Sequence, residues 1–199
     1  MTAAVLAFLV AGAALVLLPG PDSLLVLRSV VLRGRATAVR TCAGILTGLL
    51  VWVAAAALGL AALLRASETA YAALRLTGAA YLLYLGVRAL RPRPGAEPVR
   101  GLIGTGFCAG VTTNLLNPKV GVFFVTILPG FVPRGAPVAA TSLLFGALYV
   151  LETAVYFAAL LLLVDRITTL WQRPRFRRVL DRVTGGVLVV FGVRLALAP

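Results

Sequence analysis

Long apolar runs dominate this sequence and limit what it can fold into more than any other feature. Six runs follow one another along the 199 residues, at positions 3–32, 39–64, 71–90, 102–132, 138–164 and 179–197. A helix needs roughly 20 apolar residues to cross a lipid hydrocarbon core about 30 Å thick. The pattern therefore predicts an all-α integral membrane protein, with six transmembrane helices and short loops, in a single domain over residues 1–199.

Composition supports a membrane protein and argues against several functions. Hydrophobic residues make up 61% of the chain and charged residues 13%, with a mean hydropathy of +1.02. The net charge of +13 comes from arginines between apolar runs rather than from a basic face, so we expect no nucleic-acid partner. The chain has no histidine, no P-loop and only two separated cysteines, Cys42 and Cys108. We therefore expect no metal, no cofactor and no enzymatic activity.

The arginines between the runs predict an orientation. The first, third and fifth connections hold fourteen of them: Arg28, Arg33, Arg35, Arg40, Arg88, Arg91, Arg93, Arg100, Arg166, Arg173, Arg175, Arg177, Arg178 and Arg182. The opposite side holds only four: Arg65, Arg75, Arg134 and Arg194. Because cytoplasmic loops carry the excess of positive charge, these three connections should be cytoplasmic and both termini outside.

The first and fourth runs are too long for one straight span, and each contains a helix breaker. The first is interrupted by a PGP motif (Pro19, Gly20 and Pro21) and the fourth by an NPK motif (Asn117, Pro118 and Lys119). Proline removes a backbone donor, and carbonyls freed in lipid must face protein or a water-filled cavity. We therefore expect the PGP motif to line a cavity, with a packed kink as the alternative.

The two halves of the chain also resemble each other. A shift of 98 positions aligns both breaks and places Ala11-Gly12 on Ala109-Gly110 and Gly48 on Gly146, and a slightly different shift places Gly86-Val87-Arg88 on Gly192-Val193-Arg194. A three-helix unit crosses the membrane an odd number of times, so the second copy must be inverted. The sequence predicts two inverted repeats, about 1–92 and 101–199, joined by a linker at about 93–100. Chance similarity of apolar segments is the alternative.

A few polar side chains lie within the apolar runs and are the candidate site. Lys119 is the only lysine among 19 basic residues, and a compact ammonium suits ligand or proton coupling better than a guanidinium. Asp22 lies inside the first run, directly after the PGP motif, and Glu152 lies midway along the fifth. Structural alternatives are a snorkelling lysine, a helix cap at Asp22 and an ion pair at Glu152. Hydrogen-bonding groups at similar depth are Thr112, Thr113, Asn114, Asn117, Tyr149 and Tyr156.

At these residues the chain resembles the LysE/RhtB superfamily of amino-acid exporters. The resemblance rests on LLPGPDSLLVLRSVVLRGR from Leu17, GILTGLLV from Gly44, LTGAAYLLYLGVRAL from Leu76 and NLLNPKVGVFFVTILPGFV from Asn114. It covers most of the chain in the family's order and spacing. The resemblance implies export of amino acids or close derivatives from the bacterial cytoplasm across the inner membrane, driven by ion gradients without nucleotide hydrolysis.

These observations favour a secondary exporter that binds its substrate between the two halves, with proton antiport as the coupling. In this hypothesis Lys119 faces the substrate's carboxylate, while Asp22 or Glu152 faces its ammonium or carries the proton. The alternatives are a membrane-embedded enzyme or redox conduit, a structural subunit, and an exporter of another small solute or ion. The expected partners are the small-molecule substrate and membrane lipid, and a homo-oligomer remains open.

Overall fold

The computed structural model describes residues 2–18, 20–66, 68–91, 104–133, 135–164 and 174–197, and within these ranges it is helical without a β-strand. The helices are α1 (Thr2–Leu17), α2 (Pro21–Ala66), α3 (Glu68–Leu90), α4 (Phe107–Leu115), α5 (Pro118–Val122), α6 (Val138–Leu162) and α7 (Pro174–Leu197). The all-α prediction is confirmed for this part of the chain. The predicted linker at 93–100 lies outside the described residues.

Two of these helices are long and apolar enough to cross a membrane by themselves. They are α2, over Pro21–Gly59, and α6, and a third candidate is the bent pair formed by α4 and the helix Pro118–Phe131. The bent pair changes direction by 53° at its break, and α1 is apolar but shorter. The described residues therefore form a helical membrane protein with two or three candidate spans, and the six-span count stays a prediction.

Helices are interrupted at both proline motifs. α1 ends at Leu17 and α2 begins at Pro21, while α4 ends at Leu115 and α5 begins at Pro118. In each case a proline occupies the first helical position, where a missing N–H costs nothing because no partner within the helix exists. Pro19 lies outside the described residues.

The connection predicted between the first two runs, at residues 33–38, is shorter in the structure, where two helices meet across a kink at Gly34. The chain stays helical there except at Gly34, which has φ 79° and ψ 174°. This backbone region is open essentially to glycine alone, so one residue bends the chain without a loop. Arg28, Arg33, Arg35 and Arg40 consequently lie on α2, on either side of the bend.

α1 packs in parallel against α6. The ring of Phe8 stacks on that of Phe145 with centroids 4.7 Å apart, and one turn later Gly12 faces Tyr149 and Glu152. Both partners advance in the same direction along their helices. The absence of a side chain at Gly12 allows this close approach, as is usual where membrane helices pack tightly.

α4 packs in parallel against the second half of α2 in a similar way. Gly44 faces the backbone of Phe107, and one turn later Gly48 faces the side chain of Asn114. A Cβ atom at Gly110 would collide with the main chain of Thr41. Small residues on both helices therefore set the distance between them.

α3 and α7 form a third close pair, and this pair is antiparallel. Two glycines form its contacts: Gly86 faces Gly185 and Val189, and Gly192 faces Ala79 and Leu83. As the residue number rises on α3, the number of its partner on α7 falls. The same kind of contact thus occurs twice along one helix pair.

The apolar core has two parts. The larger cluster includes four phenylalanines and Tyr149, namely Phe8, Phe123, Phe124, Phe145 and Tyr149. The smaller cluster consists of Val26, Ala38, Cys42, Ile45, Phe157 and Leu160. α6 contributes to both clusters, and the candidate site lies along the stretch of α6 between them.

Candidate functional site

The lone lysine bridges the two helix breaks. Lys119, in the first turn of α5, donates hydrogen bonds from Nζ to the backbone oxygens of Leu15 (2.8 Å) and Leu18 (2.9 Å). The Leu15 oxygen would normally accept from the backbone of residue 19, but that residue is proline and has no N–H. Lys119 therefore supplies the missing donor, and its positive charge lies at the negative end of the α1 dipole.

Gly20 allows this contact to form. Its carbonyl accepts from the backbone N–H of Leu24 (3.1 Å), which is the first helical bond of α2. A Cβ atom at Gly20 would lie 3.3 Å from Nζ of Lys119, which is closer than side chains normally approach. The break at the PGP motif thus ends one helix, starts the next, and leaves room for an ammonium group.

Asp22 lies in the first turn of α2 and contacts the opposite half of the molecule. Its Oδ2 accepts a hydrogen bond from Nδ2 of Asn114 (2.9 Å), which is fully buried in the last turn of α4. Its Oδ1 is buried and has no hydrogen-bond partner in the described part of the chain. The side chain of Asn117 is also close enough to interact with this carboxylate, so the second oxygen is unbonded but has an amide donor nearby.

Asn117 organises the second break. Its Oδ1 accepts from the backbone N–H of Lys119 (3.1 Å), so Asn117 caps α5 directly before Pro118. This cap holds the first turn of α5 in place and with it the backbone of Lys119. The amide nitrogen Nδ2 of Asn117 is buried without a partner among the described residues.

A small cavity lies where these elements meet. Its wall contains the apolar side chains of Val16, Leu49, Val120 and Phe157 and the polar side chains of Asp22, Ser23, Lys119, Tyr149, Thr153 and Tyr156. The free volume is about 20 Å³, enough for a water molecule but not for an amino acid. The cavity is therefore too small for such a molecule in this conformation, and it has one cationic and one anionic side chain on its wall.

Tyr149 and Glu152 occupy different places on α6. Tyr149 is buried on the cavity wall and stacks on Phe123 with ring centroids 4.2 Å apart. Glu152 does not line the cavity: its Oε2 lies against Gly12 of α1, buried and without a hydrogen-bond partner in the described ranges. The ion pair considered for Glu152 as a structural alternative is not found within those ranges.

The structure thus brings together most of the residues singled out from sequence. Gly20, Asp22, Asn114, Asn117, Lys119 and Tyr149 meet around the breaks. Pro21 and Pro118 begin the helices that carry them. Thr112 and Thr113 lie on α4 and do not line the cavity.

Sequence reasoning missed two cavity residues, Ser23 and Thr153. Ser23 accepts a hydrogen bond from the hydroxyl of Tyr156 (3.3 Å), and Thr153 donates to the backbone oxygen of Tyr149 (2.8 Å). Their positions carried a usable signal, because Thr153 follows Tyr149 by one helical turn and Ser23 adjoins Asp22. Ser and Thr are common in membrane helices, so residue type alone did not distinguish them.

Comparison with known proteins gives relatives of nearly the same length. An uncharacterized membrane protein of Pseudomonas aeruginosa is 36% identical over 92% of this chain and 90% of its own. The homoserine/homoserine lactone efflux protein of Salmonella typhimurium is 29% identical over 96% and 95%, respectively. The threonine efflux protein of Escherichia coli K12 is 28% identical over 90% and 91%. No solved structure shows significant similarity.

A family model matches almost the whole sequence. The model describes the LysE type translocator and aligns with residues 13–198, which include both helix breaks and every polar residue of the cavity wall. The match agrees with the resemblance noted from the PGP and NPK motifs. The chain belongs to the LysE type translocator family.

Proposed function

We propose that this protein is a secondary exporter of amino acids or close derivatives, working by alternating access across the bacterial cytoplasmic membrane. The observation that carries the proposal is the reciprocal contact of the two helix breaks around a small polar cavity. The NPK motif supplies Lys119 to the end of α1, and Asp22 after the PGP motif binds Asn114 ahead of the NPK motif. Broken helices of this kind form the substrate sites of transporters built from inverted repeats.

The packing of α3 on α7 supports two inverted repeats. An offset of 106 positions takes Gly86 to Gly192. The same offset takes Ala79 and Leu83, which face Gly192, to Gly185 and Val189, which face Gly86. Contacts that exchange in this way are typical of a two-fold relation between antiparallel elements. The two parallel pairs also correspond. Exchanging the halves takes α1 to α4 and α6 to the second half of α2, so the pair α1 with α6 becomes the pair α4 with α2.

The named relatives point to amino-acid substrates. Threonine, homoserine and homoserine lactone, after which two relatives are named, share a primary ammonium group. The lactone has no free carboxylate, so the ammonium is the charged group common to all three. A carboxylate with one unpaired oxygen, as at Asp22, is a suitable acceptor for that group. Lys119 is the matching partner for a carboxylate where the substrate has one.

Proton antiport is the coupling we propose. Asp22 is the first candidate carrier, because it adjoins a helix break and lies on the cavity wall, where protonation would alter the Asn114 contact between halves. Glu152 is the second candidate, since it is partly buried against α1 but off the cavity. Loss of charge at either residue would favour movement of one half against the other.

A counterflow experiment tests the export function directly. The purified full chain is reconstituted into liposomes preloaded with unlabelled threonine, homoserine or lysine, and uptake of the same labelled amino acid is followed. We expect transient accumulation of at least one of them, absent from protein-free liposomes. Retained counterflow by Thr47→Ala, a change at an exposed position of α2, is the matched control.

The same preparation separates the proposal from its rivals. A structural subunit or a membrane-embedded enzyme, reconstituted alone, would give no counterflow of any amino acid. An exporter of another solute would give none with the amino-acid panel but would do so with that solute. Absence of counterflow across the whole panel would overturn the amino-acid proposal.

A further inference from the structure

The Lys119 contacts have the chemistry of an occupied ammonium site. A primary ammonium lies at the carboxyl end of α1, donates to two backbone oxygens at 2.8 and 2.9 Å, and shares the cavity wall with the Asp22 carboxylate. The acceptors are the Leu15 and Leu18 carbonyls, and the Asp22 carboxylate, whose Oδ1 makes no hydrogen bond, is on the same cavity wall. Nothing in this set is specific to a lysine side chain, because any R–NH₃⁺ group of suitable size presents the same three donors.

We propose that Lys119 is a tethered stand-in for the ammonium group of the cargo. In the empty protein Lys119 occupies the site formed by the Leu15 and Leu18 carbonyls, next to Asp22 on the same cavity wall. When cargo enters, its primary ammonium takes these acceptors and Lys119 withdraws. This inference rests on the proposed export function and identifies the group of the cargo that the site recognises.

Size makes the two occupants mutually exclusive. With Lys119 in place the cavity has about 20 Å³ of free volume, so an amino acid cannot enter without displacing a side chain. Two ammonium groups on one pair of carbonyls would also repel each other strongly in a poorly solvated site. The flexible four-carbon stem of lysine allows withdrawal, and the released ammonium can then pair with the cargo's carboxylate where there is one.

The stand-in has a consequence for the transport cycle. An empty site without a cation would leave the Asp22 carboxylate and the negative end of α1 uncompensated in the membrane interior, which is costly. Lys119 compensates both, so the protein can close and reorient without cargo. Net efflux requires that empty return step, whereas exchange of cargo for cargo does not.

The contact with Gly20 explains why the stand-in is lysine. Nζ lies 3.3 Å from the position that a Cβ at Gly20 would take, so the group occupies a narrow space beside the backbone. A planar guanidinium is larger and carries its donors in a fixed fork. Arginine, which the chain uses at every other basic position, does not match this space.

The first experiment uses Lys119→Met, which keeps a long flexible side chain and removes the charge. The full-length variant is reconstituted, and exchange and net efflux of labelled threonine or homoserine are compared, using whichever the wild type exchanges faster. We expect exchange to persist, net efflux to fall about tenfold or more, and half-saturation of exchange to shift about tenfold lower, within the range usual for coupled binding. Parallel loss of exchange and efflux in a folded variant would overturn the inference.

A second measurement adds back a free cation. In Lys119→Ala, ethylammonium should fill the empty site and restore net efflux, while having no such effect on wild type. Lys119→Arg keeps the charge but should not regain net efflux. If Lys119 only stabilised the fold, ethylammonium would not restore net efflux and the substrate concentration for half-maximal exchange would not fall. Absence of rescue in a folded Lys119→Ala protein would count against the stand-in.

A third measurement uses wild-type protein alone and does not depend on the folding of any variant. The methyl ester of the amino acid keeps the ammonium and should exchange, whereas the N-acetyl derivative lacks it and should not. Transport of the N-acetyl form at the rate of the parent would overturn the inference while leaving export intact. If wild type moved no amino acid, the proposed function itself would fail.

Discussion

Lys119 and Asp22 are the charged side chains on the wall of the closed cavity, and each is held by the other half of the protein. Lys119 on α5 binds the end of α1, and Asp22 on α2 binds Asn114 on α4. Each contact crosses between the two predicted repeats. A change of charge at either residue would therefore act on the relation between the halves as well as on the local site.

Neutralising the two buried acids separately tests which one carries the proton. We expect Asp22→Asn to lose uphill transport driven by an imposed pH gradient while keeping some exchange, because an amide can accept a hydrogen bond but cannot cycle a proton. Glu152→Gln, off the cavity wall, serves as the matched variant and should retain more coupling. Uphill transport at the wild-type rate by both variants would remove proton carriage from both residues.

The cap of α5 is a second target at the residue scale. Asn117→Ala removes the Oδ1 acceptor for the backbone N–H of Lys119 and should lower stability by about 1 kcal/mol, the usual cost of losing such a cap. Thermal unfolding in detergent measures the change. Thr47→Ala, whose hydroxyl bonds only its own exposed helix, should stay within about 0.5 kcal/mol of wild type. Equal stabilities for the two variants would contradict the capping role.

Part of this site was predictable from residue type alone. A lone lysine and two acids in apolar runs are costly, and their rarity singled them out. The partners of Lys119 were not predictable, because they are backbone oxygens on a helix about a hundred positions away. The helix break beside Asp22 ranked it ahead of Glu152 in the sequence, but the packing of α6 on α1, which holds Glu152 off the cavity wall, was not predictable.

At the scale of elements, the second break is followed by an unusual helical segment. α5 continues as a π-helix over Phe123–Ile127 and a 3₁₀ helix over Leu128–Phe131. Phe123 and Phe124, adjacent in sequence, both contact Tyr149, with ring centroids 4.2 and 5.7 Å away. Wide turns of this type are frequent at functional sites. The segment packs two aromatic rings against Tyr149, which is a residue of the cavity wall. Neither its periodicity nor its register could be predicted from an apolar run.

The bend at Gly34 is the element whose role can be isolated most simply. Gly34→Ala places a side chain at φ 79°, so we expect a loss of stability of about 1–3 kcal/mol. A Cβ there would meet no atom within 4 Å, which leaves backbone strain as the cause. Gly59→Ala, also in open space on α2 but without a positive φ, should be neutral or stabilising. Unfolding temperatures in detergent give the comparison, and a neutral Gly34→Ala would rule out the strained bend.

The same bend shows why the sequence analysis placed a loop at 33–38. Arginines on both sides of Gly34 interrupt the apolar run, and a drop in hydropathy is the usual sign of a connection. In the structure two helices meet across a kink at Gly34, and the residues on either side of it are helical. Hydropathy reports where a chain leaves the apolar environment, but it does not report how many residues the connection takes.

At the scale of the whole molecule, the directions of the packed helices fit a chain whose successive spans cross the membrane in opposite directions. α1 and α6 are parallel, as are α4 and the second half of α2, while α3 and α7 are antiparallel. Six alternating spans, with each broken helix counted once, require these same relative directions. The relative directions do not fix which end of the bundle faces the cytoplasm, and that choice depends on charge.

The split of fourteen arginines against four predicts the sidedness, because positively charged loops resist translocation across the bacterial membrane. In a background with Cys42 and Cys108 replaced by alanine, we expect Gly95→Cys and Gln172→Cys to react with a membrane-impermeant maleimide only when the cytoplasmic face is opened. Ala136→Cys should react in intact cells. Protein that retains only the buried Cys42 serves as the low-labelling control for both conditions. The reverse pattern would exclude the predicted orientation. Labelling of Gly95→Cys and Ala136→Cys from the same side would exclude the inverted repeats as well, because in that arrangement the fourth span crosses the membrane between these two positions.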